Sequence, residues 1–440
     1  MVSGCDVTNP GPVQQQFLAD PASQPALVEG AARMVAEALS NVSYTSALVS
    51  REMFPGGQTG SLGHDVRTQA GYVEPGSFGG HFGDVVQARF IGEAALDIFS
   101  DLEVPADPDL VAGANVWTGF AQRLIGENWC EMVVTGADGS PGSLQSSAGA
   151  FTAAESNFTA ALGSGSTNSN LINAARAGRA QVRVWLGDWS GAASDAGMIT
   201  DNSWSFDSNM DPLDTSTRNQ IYFSNSDDPY RAFTMLYTYY GGNNGHAALG
   251  PQFMGYYEAS GDPRVKLQHA PGTPLYTNAG LQAYGQVIYL NSLRYDGEDA
   301  DIRLASGAEM RLIEAEAALN TGGDFAGAMA TIDALRGSIT SDNGGTLGRL
   351  TGLPDPTNVA TAMSYLMRER GIELWGEGRR WGDQRRWMTG GLGGDQQLAD
   401  FESTSASSIF TTASVAPEQS ICFDIPDSER DANPNVPTVS

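Results

Sequence analysis

The sequence predicts a mainly α-helical protein, built as a scaffold of helical hairpins with one irregular, loop-rich insert. Small and apolar residues recur at three- and four-residue steps along most of the chain, and this is the spacing of one helix face. A glycine–aspartate–aromatic pattern occurs twice. The block from 201 to 302 lacks helical spacing and is too long for a single loop, so we interpret it as an inserted subdomain.

The apolar spacing places the predicted helices in chain order. The first carries Val28, Ala31, Val35 and Leu39 on one face. The predicted helices span residues 27–49, 85–99, 116–133, 147–162, 171–186, 308–320, 325–336 and 359–375. A glycine-rich stretch at 55–83 separates the first two.

The repeated pattern predicts how two of the hairpins turn. Gly187-Asp188-Trp189 matches Gly323-Asp324-Phe325, and each follows an alanine-rich predicted helix. Glycine suits a left-handed helix end, and aspartate caps the start of the next helix. These features are typical of tetratricopeptide-like repeats. Two unrelated helical hairpins with ordinary capping residues are the alternative.

The charge balance and the rare residue types exclude several functions. The chain has 24 Lys and Arg residues against 51 Asp and Glu, a net charge of -27, and such a surface repels nucleic acid. The three cysteines and four histidines show no metal-ligand spacing, so we expect no cofactor. A structural calcium ion held by loop aspartates stays open. No P-loop, dinucleotide or nucleophile-elbow motif occurs.

The N-terminus carries a short motif for lipid attachment. Val2-Ser3-Gly4-Cys5 resembles the end of a lipoprotein signal, which would make Cys5 the acylated residue. The charged and apolar regions of a signal peptide do not precede it. A chance occurrence in an ordinary N-terminus is the alternative. Two or more acyl chains on Cys5 would anchor the protein stably.

Three C-terminal motifs carry a family resemblance. The first, residues 308–318, is AEMRLIEAEAA. The second, which we call the arginine-rich segment, spans residues 368–387 and is RERGIELWGEGRRWGDQRRW. The third, residues 422–435, is CFDIPDSERDANPN, with Asp424 where the family usually has proline. Their order and position resemble the SusD/RagB family of nutrient-uptake lipoproteins, as does the motif around Cys5.

This resemblance implies a function without catalysis. Such proteins are lipid-anchored at the surface of the outer membrane, where they form a lid over a SusC-like TonB-dependent transporter. They bind an oligosaccharide or peptide and deliver it for import. The resemblance therefore implies three partners for this chain: the transporter, the nutrient, and outer-membrane lipid through acylated Cys5.

The alternation of basic and acidic side chains in the arginine-rich segment predicts a structural role. Arginine binds carboxylates at two points and can tie the last helix to its neighbours. Flanking arginines would keep the acids ionised, which argues against a catalytic pair. The predicted structural residues in the three motifs are Glu314, Glu316, Glu373, Glu377, Arg380, Trp381, Asp383, Arg386, Pro426 and Glu429.

Ligand-binding residues are predicted by region. Sugars bind to flat aromatic surfaces with side-chain amides and carboxylates nearby, and both the stretch 57–82 and the block 201–302 supply such groups. Core packing is the alternative, above all for the dense run 237–240. The predicted ligand residues are Tyr72, Phe78, Trp204, Tyr237, Tyr239, Tyr240, Asn243 and Tyr256.

The resemblance also bears on two cysteines. Cys130 and Cys422 would pass through an oxidising compartment, so we expect a disulfide between them. Closing so long a loop would restrict the unfolded chain. Two buried free thiols are the alternative.

The predicted organisation has five parts. They are an N-terminal tether at 1–20, helical hairpins at 21–200, the irregular ligand-side block at 201–302, further helices at 303–390, and C-terminal loops with the third motif at 391–440. Two other functions compete with nutrient delivery. One is a tetratricopeptide scaffold for protein partners, and the other is an all-α glycosidase, which needs two uncovered carboxylates across a cleft.

Overall fold

Helices dominate the structure, in agreement with the predicted fold class. The computed structural model describes residues 20–50, 52–55, 81–134, 141–225, 232–235, 255–268, 289, 291–350, 355–390 and 422–437. The helices are α1 (Gln24–Val49), α2 (Phe82–Ser100), α3 (Pro108–Asn128), α4 (Ala148–Gly163), α5 (Ser169–Leu186), α6 (Trp189–Ala196), α7 (Gln220–Asn225), α8 (Gly255–Ser260), α9 (Gly307–Gly322), α10 (Phe325–Gly337), α11 (Val359–Glu373), α12 (Arg380–Gly390) and α13 (Asp427–Ala432).

The two copies of the glycine–aspartate–aromatic pattern turn their hairpins as predicted. Gly187 ends α5 and Gly323 ends α9, both with positive φ, at 75° and 65°. Asp188 then accepts a hydrogen bond from the N–H of Gly191 at 2.9 Å, and Asp324 caps α10 in the same way. Glycine adopts this backbone at no steric cost, and the aspartate satisfies a helix-terminal donor.

Helices α1 to α6 pack on one another in chain order, and the array continues across the insert. Helix α9 packs on α6, and α10 and α11 pack on α9. Small residues permit the close approach of α3, α4 and α5. A Cβ atom at Gly178 would lie 2.2 Å from the ring of Phe158, and one at Gly119 would lie 2.8 Å from it.

The antiparallel strands are short, and several of them lie in the irregular block. The strands are β1 (Phe54–Pro55), β2 (Glu131–Val133), β3 (Leu144–Ser146), β4 (Ser205–Ser208), β5 (Phe233–Thr234), β6 (Leu267–Gln268), β7 (Asn291–Ser292) and β8 (Ile302–Ser306). They pair as β1–β5, β2–β3, β4–β8 and β6–β7. Since β4 begins the block and β8 ends it, their pairing joins the block to the helical array at one place.

Two of the differences between predicted and observed helix bounds have a clear local cause. The helix predicted at 116–133 begins at Pro108, where Asp107 caps it through the N–H of Asp109 at 2.8 Å, and it ends at Asn128 because 131–133 forms a strand. The helix predicted at 359–375 ends at Glu373. Gly376 and Gly378, with φ of 73° and 71°, turn the chain there.

The C-terminal tail packs beside the end of α3. Trp129 forms a parallel bridge with Phe423, and the ring of Trp381 lies 4.3 Å from that of Phe423. The structure joins Cys130 to Cys422 in a disulfide with a Cα–Cα distance of 5.5 Å. Within the described residues, no helix combines the length and the apolar character that a membrane crossing requires.

Candidate functional site

The arginine-rich segment is almost entirely buried, and its charges are neutralised by one another and by neighbours. Arg264 lies at the centre of one group. Its guanidinium binds both carboxylate oxygens of Asp262, at 2.9 and 2.7 Å, and donates to Glu369 at 2.7 Å and Glu373 at 3.0 Å. Arg336 donates to the other oxygen of Glu369 at 2.6 Å. All five side chains are buried, so protein partners replace water around each charge.

A second group joins the turn after α11 to β8. Arg303 donates to Glu373 at 2.9 Å and to Glu377 at 2.7 Å, and Arg294 donates to Glu377 at 2.7 Å. Burial alone would raise the pKa of Glu373, but the guanidinium groups of Arg303 and Arg264 outweigh burial and lower that pKa. Glu373 therefore stays ionised at neutral pH and is unsuited to donating a proton.

A third group surrounds Asp383 on α12. Arg370 and Arg386 each donate to its carboxylate at 2.9 Å. Burial would raise the pKa of Asp383, but these guanidinium groups lower it to about 2. Arg386 also donates to Glu316 at 3.1 Å, and the indole N–H of Trp387 donates to Glu316 at 3.1 Å. This group ties α12 to α9.

Three other motif residues lie outside these groups. Glu314 forms an ion pair with Arg311 at 2.7 Å and is partly exposed. Pro426 stands at the start of α13, and Glu429 accepts a hydrogen bond from the amide of Asn433 at 3.1 Å. Their contacts are local to the surface of α9 and to the tail.

The arginine-rich segment is bonded directly to the end of α1 through Glu52. The indole N–H of Trp375 donates to the carbonyl oxygen of Glu52 at 3.3 Å, and the N–H of Gly376 donates to its carboxylate at 3.2 Å. Arg380 donates to the carbonyl oxygen of Ser50 at 3.2 Å. Burial raises the pKa of the Glu52 carboxyl to about 7, partly opposed by Arg380. Because Glu52 is 0% exposed, it cannot reach a substrate.

Asn225, at the end of α7, holds two pairs of strands together. Its amide donates to the carbonyl oxygen of Phe233 on β5 at 2.8 Å, and its Oδ1 accepts the N–H of Ser292 on β7 at 2.7 Å. The hydroxyl of Tyr289 donates to its carbonyl oxygen at 2.5 Å. Asn225 therefore connects the β1–β5 pair to the β6–β7 pair, and we call these four strands with Asn225 the loop base.

Three segments outside the described residues begin at the loop base. Residues 56–80 follow β1, residues 236–254 begin directly after Met235 beyond β5, and residues 269–288 follow β6. Tyr72 and Phe78 belong to the first segment, and Tyr237, Tyr239, Tyr240 and Asn243 belong to the second. These predicted ligand residues, like Cys5, therefore lie outside the described part of the chain. The structure shows that β1, β5 and β6, the strands that precede these three segments, lie together in the loop base.

Tyr256 and Trp204 are the two predicted ligand residues within the described part, and they lie apart from the loop base. The hydroxyl of Tyr256 donates to Asp262 at 2.8 Å and accepts from Arg336 at 3.2 Å, so it belongs to the group around Arg264. Trp204 is half-buried. It lines a cavity of about 490 Å³ together with Arg303 and other residues.

No sequence pattern marks Glu52 or Asn225 as important. Each is a single polar residue whose bonds reach distant parts of the chain, so neither spacing nor a local motif identifies it. Among the described residues, no cluster of histidine, cysteine or acidic side chains is placed to hold a metal ion.

The fold and the buried charge groups define a class of protein. It is an array of tetratricopeptide-like hairpins with a buried, ion-paired arginine-rich segment that bonds to the end of α1. A model of the SusD family matches residues 168–438. The chain belongs to the SusD family. No protein of curated function matches the sequence.

Solved structures show the same fold. A SusD superfamily protein from Bacteroides thetaiotaomicron is 16% identical with a TM-score of 0.63, and the match covers 95% of this chain and 99% of that one. NanU from B. fragilis is 13% identical with a TM-score of 0.62, over 96% and 97%. A laminarin-binding SusD-like protein is 15% identical with a TM-score of 0.54, over 94% and 98%.

Proposed function

We propose that this protein is a lipoprotein of the outer-membrane surface that binds a nutrient, an oligosaccharide or a peptide, and passes it to a SusC-like TonB-dependent transporter. In this proposal Cys5 carries the lipid anchor, the protein acts as the transporter's lid, and no bond of the nutrient is broken. Family membership supports the role, and the loop base supports the place of binding.

The observation that carries the proposal is that the strands preceding three segments outside the described residues lie together in the loop base. Two of these segments contain six of the eight predicted ligand residues, which are mainly aromatic. The loop base is fixed to the helical array because Glu52 bonds the arginine-rich segment. A binding surface gains affinity when its supports are rigid, since less order is lost on binding.

A neutral oligosaccharide is the favoured nutrient. The net charge of -27 repels polyanionic ligands at long range, and tyrosine rings suit the apolar faces of sugars. One structure of the same fold is described as laminarin-binding. The carboxylates around Arg264 argue against a glycosidase, because each is buried and already bound by that guanidinium.

Calorimetry on the full chain tests ligand binding. The probes are neutral oligosaccharides, beginning with laminarin oligosaccharides, and a mixture of short peptides. We expect binding that Tyr239→Ala and Tyr72→Ala each weaken about tenfold or more, since stacked rings carry much of the contact energy. Tyr222→Ala, on α7 outside these segments, serves as the matched control. Equal affinity in all variants would place the site elsewhere.

Two further measurements test delivery and the absence of catalysis. A mild-detergent pull-down of the tagged precursor from native membranes should yield a β-barrel partner, with acyl chains on Cys5 by mass spectrometry. An unacylated chain that captures no barrel would instead favour a scaffold for protein partners. Incubation with a bound oligosaccharide should return it uncleaved, and released products would establish a hydrolase.

A further inference from the structure

We propose that the cavity beside Trp204 is a second binding site, which takes one uncharged sugar unit or a similar polyhydroxylated molecule. The cavity measures about 490 Å³, within the range of roughly 300–1,000 Å³ that is usual for small-molecule sites. It lies between the start of the irregular block and the C-terminal end of α10, and no residue of the loop base lines it. It is therefore separate from the loop base.

The cavity is lined by both apolar and polar side chains. Trp204, Leu335 and Ile339 are apolar, and Ser203 and Ser338 carry hydroxyls. A pyranose ring has the same mixed character, with C–H groups on its faces and hydroxyls at its edge. Aromatic and aliphatic surface with a few placed polar groups is the composition that binds such molecules.

The wall that carries Trp204 is held in place without a ligand. The indole N–H donates to Oδ1 of Asn170 at 3.0 Å, and the carbonyl oxygen of Trp204 accepts the N–H of Gly307 at 2.8 Å. A Cβ atom at Gly307 would lie only 1.9 Å from the carbonyl oxygen of Asp201. Glycine at this position therefore lets the turn that carries Trp204 lie directly on α9, and a rigid wall lowers the entropic cost of binding.

The charges around the cavity favour an uncharged ligand. Its two guanidinium groups are those of Arg264 and Arg303, and both are already bound by buried carboxylates. The side chain of Arg303 keeps 24% exposure, enough to donate to a hydroxyl. Asp201 adds an exposed carboxylate at the rim. An anionic ligand would meet Asp201 and Glu373 with no unsatisfied cation to receive it.

Fluorine NMR on the full chain labelled with 5-fluorotryptophan tests this site. The probe is methyl β-D-glucopyranoside, up to about 50 mM because one sugar unit typically binds weakly. The signal of Trp204 is identified by its loss in Trp204→Phe. We expect a saturable shift of that signal, with D-glucuronate at least about threefold weaker. No shift, or shifts only of other tryptophan signals, overturns the proposal.

Two serine-to-tryptophan variants test whether the glucoside binds in the cavity or elsewhere on the molecule. Ser338→Trp places a bulky ring at the rim and should reduce glucoside affinity about tenfold or more. Ser194→Trp, on an exposed position of α6 outside the cavity, should leave the affinity unchanged. Retained binding in Ser338→Trp contradicts the proposal. Because the Trp204 signal reports only this cavity, its response is independent of whether oligosaccharides bind to the loops.

Discussion

The packing of α4 on α5 and the packing of the arginine-rich segment use opposite chemistry, although both are buried. Around Phe158, the contact is apolar and includes Gly119 and Gly178. Buried alanines on α4 and α5, at 0–3% exposure, include Ala154, Ala161 and Ala174. Around Glu369, the contact consists of ion pairs. The stability of the apolar contact depends on how well the side chains fill the space. The stability of the ion pairs depends on every buried charge keeping its partners.

Because of this difference, the effect of a substitution should stay local in the first region and extend to neighbouring side chains in the second. An apolar contact can relax locally, and its cost depends on the space gained or lost. A buried ion that loses its partner has no solvent to replace it, so its neighbours are affected too. We expect the arginine-rich segment to be the less tolerant of the two regions.

The largest expected effect is at Glu369. Glu369→Gln removes the charge that Arg264 and Arg336 share and should lower the free energy of unfolding by about 4 kcal/mol. Asp333→Asn removes an exposed partner of Arg349 and should cost less than about 1 kcal/mol. Urea unfolding of both variants measures this contrast. Similar losses in the two would show that burial does not control the cost.

The next largest expected effect is a dependence of the free energy of unfolding on pH, caused by Glu52. Because burial raises its pKa to about 7, the native state keeps a proton that the unfolded state has lost above about pH 4.5. Stability should therefore fall by about 3 kcal/mol as the pH rises from about 4.5 to 7 and then level off.

Comparison with Glu52→Gln isolates this dependence, since glutamine does not titrate. Urea unfolding at several pH values should give wild-type and variant curves that diverge across this range, with the variant gaining relative stability at higher pH. Parallel curves would mean that the buried carboxyl titrates normally.

The third prediction tests the apolar contact between α4 and α5. In Gly178→Ala the new methyl would lie 2.2 Å from the ring of Phe158, and we expect a loss of about 2 kcal/mol from overpacking. Gly30→Ala, in the interior of α1 with nothing within 4 Å, should instead stabilise the protein by up to about 1 kcal/mol. Thermal unfolding distinguishes the two, and a destabilised Gly30→Ala would contradict this explanation.

The smallest effects are at the two equivalent helix caps. Asp188→Ala and Asp324→Ala each remove one hydrogen bond to a helix-terminal N–H and should each cost about 1 kcal/mol. Asp188→Asn and Asp324→Asn keep an acceptor and should remain near wild-type stability. A much larger loss at one site would show that the repeat copies are not equivalent.

The sequence predicted the local features of the fold well. Helix α5, expected at 171–186, spans Ser169–Leu186, because apolar spacing and capping residues are local signals. The early start of α3 was missed although Asp107 and Pro108 are a recognisable cap and first residue. Gly376 and Gly378 lie just beyond the predicted helix end at 375, and their positive φ accompanies the end of α11 at Glu373.

The site was predictable only as a region. Aromatic residues in the loops indicated a ligand surface, but the loop base depends on two-residue strands that pair across long stretches of chain, as Phe54–Pro55 does with Phe233–Thr234. Pairings of that kind leave no periodic pattern. The role of Asn225 likewise follows from contacts with β5 and β7, which only the folded chain brings together.

The bridge between Cys130 and Cys422 has a consequence for biosynthesis. The two residues are 292 positions apart, so a ribosome must add that whole stretch before Cys130 can meet its partner. A nascent chain that stops short of Cys422 keeps Cys130 as a thiol. A quality-control factor that reacts with thiols could therefore distinguish interrupted translation products from finished molecules through Cys130.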